Sequence, residues 1–119
     1  MSQQVLTSQE AKDHVNRVGP RLGSGDFTYN PVFPETRKDV CAVRRTSEDG
    51  HSYGFDTIYL IWKDEVGKIH HKKLTNSRRT KDYIHINSVE ADGDRVTVKF
   101  GSGGSYSGSP WNNSKQVIV

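Results

Sequence analysis

Six of the chain's seventeen lysines and arginines, and two of its five histidines, lie within the fourteen residues from Lys68 to Lys81, a stretch that contains no carboxylate. Side chains of this kind bind phosphate. Lys68, Lys72, Lys73, Arg78, Arg79 and Lys81 would neutralise phosphate oxygens, while Tyr59 or His70 would offer a ring against a base. Lys63, just upstream, extends the group. Clustering matters more than the net charge of +3, because exposed charges further apart than about 8 Å are largely screened at physiological salt. The competing use of such residues is structural, since lysines on a sheet edge prevent edge-to-edge aggregation.

Other chemistry has weaker support. His51, His70, His71 and His85 together with Cys41 are zinc-competent ligand types, but no Cys-x-x-Cys or His-x-x-x-His spacing occurs and neighbouring strand histidines point to opposite faces. No metal and no cofactor is therefore expected. An active site would have to be assembled from the scattered residues His51, His85, Asp56 and Cys41, whose spacing is not diagnostic of any reaction. The glycine-rich segment 101–108 lacks the Gly-Lys-Ser/Thr ending of a phosphate loop and leads toward a strand. RNA-binding signatures are likewise missing: no aromatic RNP-like strand and no Gly-x-x-Gly clamp flanked by helices is present.

A chain of 119 residues fits one domain, and a pI near 9.1 favours anionic partners. One cysteine excludes an internal disulfide framework and fits a reducing compartment, so a cytoplasmic protein is expected. No leader pattern opens the sequence, and no apolar run approaches the roughly 20 residues of a membrane helix, so no membrane partner is expected.

The elements that would position the cations begin with one helix over residues 8–18. Thr7 as N-cap and Glu10 at N3 form a capping box, Leu6 staples against Ala11, and Ala11, Val15 and Val18 recur at helical spacing. Gly19 and Pro20 end it, the glycine as a residue tolerating positive φ. Residues 19–37 read as irregular because Gly23, Gly25, Pro31 and Pro34 interrupt them. Period-two runs then follow at 38–46, 55–63, 68–74, 82–89 and 95–100 within a meander over 38–100, a Gly/Ser loop occupies 101–114, and a last strand covers 115–119. Asp49-Gly50, Asp64-Glu65-Val66-Gly67 and Asp92-Gly93 supply the turns. The fold class expected is α+β and β-rich: a short N-terminal helix packed on a mostly antiparallel meander of five or six strands, or a small open barrel.

Pairing decides where the charge goes. With a loop at Asp64–Gly67, Lys63 opposes Lys68 and Trp62 meets Ile69, which places Tyr59, Lys63, Lys68, His70 and Lys72 on one outer surface. This register is preferred because it buries Ile69 beside Trp62. A type I turn with a bulge at Gly67 shifts the pairing by one residue and gives the outer places to His71 and Lys73. In the fifth run Val96, Val98 and Phe100 should bury opposite Ile84 and Ile86, which requires a longer or bulged loop after Asp92.

The function expected from these residues is a small basic, non-catalytic module that binds a polyanion such as nucleic acid through the 68–81 surface. The alternative is a protein–protein adaptor or regulator, homodimeric in one version, that uses an open sheet edge. A small enzyme without a recognisable motif ranks third.

Overall fold

The computed structural model describes residues 4–19, 26–48, 56–77, 84–102 and 111–119. Among them one helix and seven strands appear in the order α1 (Ser8–Val18), β1 (Asp26–Val32), β2 (Val40–Glu48), β3 (Asp56–Lys63), β4 (Ile69–Ser77), β5 (Ile84–Asp92), β6 (Arg95–Ser102) and β7 (Trp111–Ile118). The strands form two antiparallel sheets, β1-β2-β3-β4 and β5-β6-β7. The fold is thus α+β and β-rich, with the N-terminal helix on a meander, but the meander is divided into two packed sheets and no helix is long and apolar enough to cross a membrane among the described residues.

Helix α1 starts where the sequence places it. The Glu10 amide donates to Thr7 Oγ1 at 3.1 Å and the Thr7 amide to Glu10 Oε1 at 3.0 Å, so two donors that the first turn leaves unpaired are satisfied reciprocally. The helix buries Ala11, His14 and Val15, whereas Val18 is exposed. A histidine therefore takes a place on the packed face that the apolar pattern assigned to Val18. Gly19 also differs from expectation, since its φ of −72° is extended. Space is its role: a Cβ there would lie 2.7 Å from Arg45 Cζ.

The four-stranded sheet is covered on both faces. On one side Val40, Ala42, Ile58, Leu60 and Leu74 pack with Ile84, Val89, Val96, Val98, Phe100 and Val117 of the second sheet. On the other side Cys41, Val43, Tyr59 and Ile61 pack with Leu6, Ala11 and Val15. The order is helix, four-stranded sheet, three-stranded sheet. The unbroken buried runs Val40–Val43 and Thr57–Ile61 are what a strand sandwiched between two layers requires.

Strand β1 corrects the reading of 19–37 as irregular. It carries Pro31 and, among the described residues, pairs only with β2, and an edge strand is the place in a sheet where a residue without an N–H can sit. Strand β7 likewise begins at Trp111 and not at 115, running antiparallel to β6 from Ser102 to Arg95. Between β5 and β6 the turn residues are Gly93 and Asp94, since Asp92 pairs with Arg95. Gly93 has a φ of +61°, which a glycine adopts without the clash a Cβ brings. The loop is thus neither longer nor bulged as expected; a bulge at Asn87 within β5 instead sets Phe100 opposite Ile86 and Val98 opposite Val89.

The two sheets are tied at one end. Thr36 Oγ1 donates to Ala91 O at 2.8 Å, and Arg37 donates to Gly93 O at 3.2 Å and Val119 O at 3.0 Å. Arg37 is held by Asp39 at 2.7 Å, and that carboxylate raises the guanidinium pKa above its usual value.

Candidate functional site

Strand β4 carries the basic stretch and is an edge of its sheet. Its hairpin turn is built by Asp64, whose Oδ1 accepts from the amides of Val66 at 3.1 Å and Lys68 at 2.8 Å while Oδ2 contacts His70 Nε2 at 2.8 Å. The His70 contact and the Lys68 amide hold the Asp64 carboxyl below its ordinary pKa. Gly67 N donates to Asp64 O at 3.0 Å, and Gly67 has a φ of +88°, the bulge position of a type I hairpin.

That bulge selects the shifted register. Lys63 pairs with Ile69, Trp62 with His70, Ile61 with His71, Leu60 with Lys72 and Tyr59 with Lys73. The preferred pairing of Lys63 with Lys68 is overturned because Asp64 pairs backbone to backbone with Lys68 instead, at 2.9 Å. A second correction concerns the surface itself. The side that carries Tyr59, Ile61 and Lys63 is covered by α1, and Tyr59 is only 3% exposed, so its ring is closed to a base. Burial also raises the Tyr59 phenol pKa.

The sequence-derived site residues therefore divide. Lys63 is half-buried and bound to Glu10 Oε2 at 2.8 Å and Val5 O at 3.2 Å; the Lys63 bond is the main reason the Glu10 carboxyl is held below its usual range. His70 is taken by Asp64 and stacks on Trp62, with centroids 5.6 Å apart and planes 17° from parallel. Lys68, Lys72 and Lys73 are exposed and form no ion pair among the described residues. Lys72 and Lys73 project to opposite sides of the edge. Arg78, Arg79 and Lys81 lie outside the described residues.

A contact absent from the sequence reading joins α1 to β4. His14 Nε2 lies 2.9 Å from His71 Nδ1, with ring centroids 5.0 Å apart, and His71 in turn meets the Tyr59 ring edge-on at 6.2 Å. Arg17 Nη2 approaches His14 Nδ1 at 3.5 Å. Of the two ring nitrogens that meet, one donates its N–H and the other accepts. Lys73 shares this side of β4 two residues on, which gives a helix-side group of Arg17, His14, His71 and Lys73. No spacing in the sequence points to it, because residues 14 and 71 meet only through docking of the helix.

His14 is buried while Arg17, His71 and Lys73 are exposed. Burial first, then the neighbouring His71, Arg17 and His70 charges, lower the His14 pKa from 6.5. The unfolded chain therefore takes up this proton before the folded one, and His14 contributes stability that is fully present above pH 6.5 and is lost as pH falls through the lowered value. Thermal midpoints are expected to drop from pH 7.5 to pH 5, with a smaller drop in His14→Gln; equal drops would remove His14 as the cause.

Of the remaining candidates the two described ones, Cys41 and His85, lie in different sheets. Cys41 is fully buried, and burial pushes its thiol up to about 12, which leaves almost no thiolate near neutral pH. His85 is exposed on β5, in the other sheet. The position of His51 and the side chain of Asp56 fall outside the described residues. No group of three or more His, Cys, Asp or Glu that could hold a metal ion occurs among the described residues.

Among known proteins, no family model, no curated protein and no solved structure matches this chain.

Proposed function

We propose that this chain is a small non-catalytic binding module for a polyanion, with nucleic acid the favoured ligand, and that β4 with its hairpin is the contact surface. The observation carrying this reading is the set of exposed cations Lys72 and Lys73 on an edge strand and Lys68 in its hairpin turn, none of them in an ion pair among the described residues. Arg17 adds a cation from the helix side. Such groups gain most from releasing the counterions of a phosphate backbone. Lys63, His70 and Tyr59 leave the contact set for the reasons of geometry given above.

Self-pairing through β4 has less support. Two copies joined along this edge would set lysines against lysines, which opposes association, and the β1 edge contains Pro31, which has no N–H to donate.

The test is fluorescence anisotropy with unrelated single- and double-stranded oligonucleotides. Binding is expected at low salt and should fall about 10³-fold or more between 50 and 200 mM salt if six phosphates are contacted. The double variant Lys72→Glu/Lys73→Glu should lose at least about tenfold in affinity. Absence of binding at low salt would refute the proposal and leave the lysines as guards of an open edge.

A further inference from the structure

The His14–His71 contact is proton-sensitive by construction. The inner contact holds one proton between His14 Nε2 and His71 Nδ1, and Arg17 Nη2 stands 3.5 Å from the other His14 nitrogen. Protonation of both rings sets donor against donor at 2.9 Å. Both rings cannot be charged and remain joined.

The charged groups that the geometry places nearest the pair, among the described residues, are Arg17 and Lys73. From α1 Arg17 faces His14, from β4 His71 and more distantly His70 act on it, and Lys73 follows on the same side. From β3 the Tyr59 ring abuts His71, from β2 Arg45 approaches the end of the helix at Gly19, and from β1 the Tyr29 hydroxyl donates to Asn16 Oδ1 at 2.9 Å. The carboxylates of α1 are occupied elsewhere, Glu10 by Lys63 and Asp13 by the Gln9 amide at 2.8 Å. Among the described residues neither ring bonds to a carboxylate, so an imidazolium pair formed here would have to be neutralised from outside.

We infer that phosphate binding by this chain is linked to proton uptake: at neutral pH the His14 and His71 rings close on each other, and when protonated they part to form a seat in which His14, Arg17, His71 and Lys73 hold phosphate oxygens. This deepens, and rests on, the reading of β4 as a polyanion surface. His71, being exposed, is the ring that swings, while His14, held in the packed face of α1, stays. An oxyanion then accepts from both rings and replaces the contact they lose. Each proton taken up on binding makes affinity rise about tenfold per unit fall in pH.

The experiment measures oligonucleotide affinity from pH 7.5 to 5.5 at constant ionic strength for the wild type and His71→Asn. The readout is the difference between the two proteins in the slope of log affinity against pH, in which contributions common to both cancel. The wild type is expected to be steeper by about one proton, tenfold per unit. Equal slopes, with binding still weakened at least about tenfold by Lys72→Glu/Lys73→Glu, would overturn the proton link alone; no binding at any pH would overturn the surface as well. Inorganic tripolyphosphate serves as a second ligand, and the same linkage is expected there because the seat recognises the phosphate group; linkage confined to oligonucleotides would overturn that seat. Should His71→Asn fold poorly, ring-carbon NMR of the wild type supplies the reciprocal measurement. Added oligonucleotide must raise the midpoints of both His14 and His71, and unmoved midpoints would overturn the proposal.

Discussion

Phe100→Ala is expected to lower the unfolding free energy by about 3–5 kcal/mol, the range for removing a buried aromatic ring. Phe100 is 1% exposed and stands on the middle strand of the three-stranded sheet, opposite Ile86 on one side and Asn113 on the other. Its ring belongs to the layer shared with Val40, Ala42, Ile58 and Leu60, so it is one of the side chains that join the sheets. Backbone hydrogen bonds cannot close the void, because they fix the spacing of β5, β6 and β7 within their own sheet. At roughly 4 °C per kcal/mol the thermal midpoint should fall by more than 10 °C. A loss below about 1 kcal/mol in denaturant titration would mean that the sheets are not packed through this residue. Against a total stability of about 5–15 kcal/mol for a domain, the effect is large enough to unfold a marginal protein.

Val15→Lys is expected to release the helix while the two sheets persist. Val15 is fully buried against Cys41, Val43, Tyr59 and Ile61, so an ammonium placed there enters an apolar layer that offers it no carboxylate. Burying such a charge costs several kcal/mol, and an eleven-residue helix has little stability of its own in water. Undocking should uncover Cys41. In the wild type that thiol is held at about 12 by burial and should resist thiol reagents while the protein is folded. Once exposed, it returns toward its ordinary value, and the thiolate fraction at neutral pH rises by roughly three orders of magnitude. Rapid Cys41 labelling with partial loss of helical signal is the expected result. Unchanged protection of Cys41 would show that α1 is not what covers it.

The same interface explains which parts of the candidate site were legible in the residues. The capping box at Thr7 and Glu10, the helix over 8–18 and the turn at Asp64–Gly67 follow from local hydrogen-bonding chemistry, and all three stand in the structure. Strand β1 was hidden by Pro31 because the rule against proline in strands is relaxed at an edge, and edge position is not a local property. Tyr59 was read as outward because a single sheet leaves one face wet. The buried run Thr57–Ile61 held the contrary signal, since it has no polar alternation and marks a strand covered twice.

By itself the sequence determined the β-rich α+β class, the capped helix and the placement of six cations in fourteen residues. These depend on periods of 2 and 3.6, on turn chemistry and on charge, which neighbours in the chain fix among themselves. Only the tertiary structure decided which side of the sheet the described residues of that stretch take. The Gly67 bulge shifted β4 by one residue against β3, the helix closed over Tyr59, and docking brought His14 to His71 across 57 positions of sequence. A one-residue shift exchanges the two faces of a strand, and a contact between distant segments forms only once both are packed, so neither outcome is encoded in local spacing.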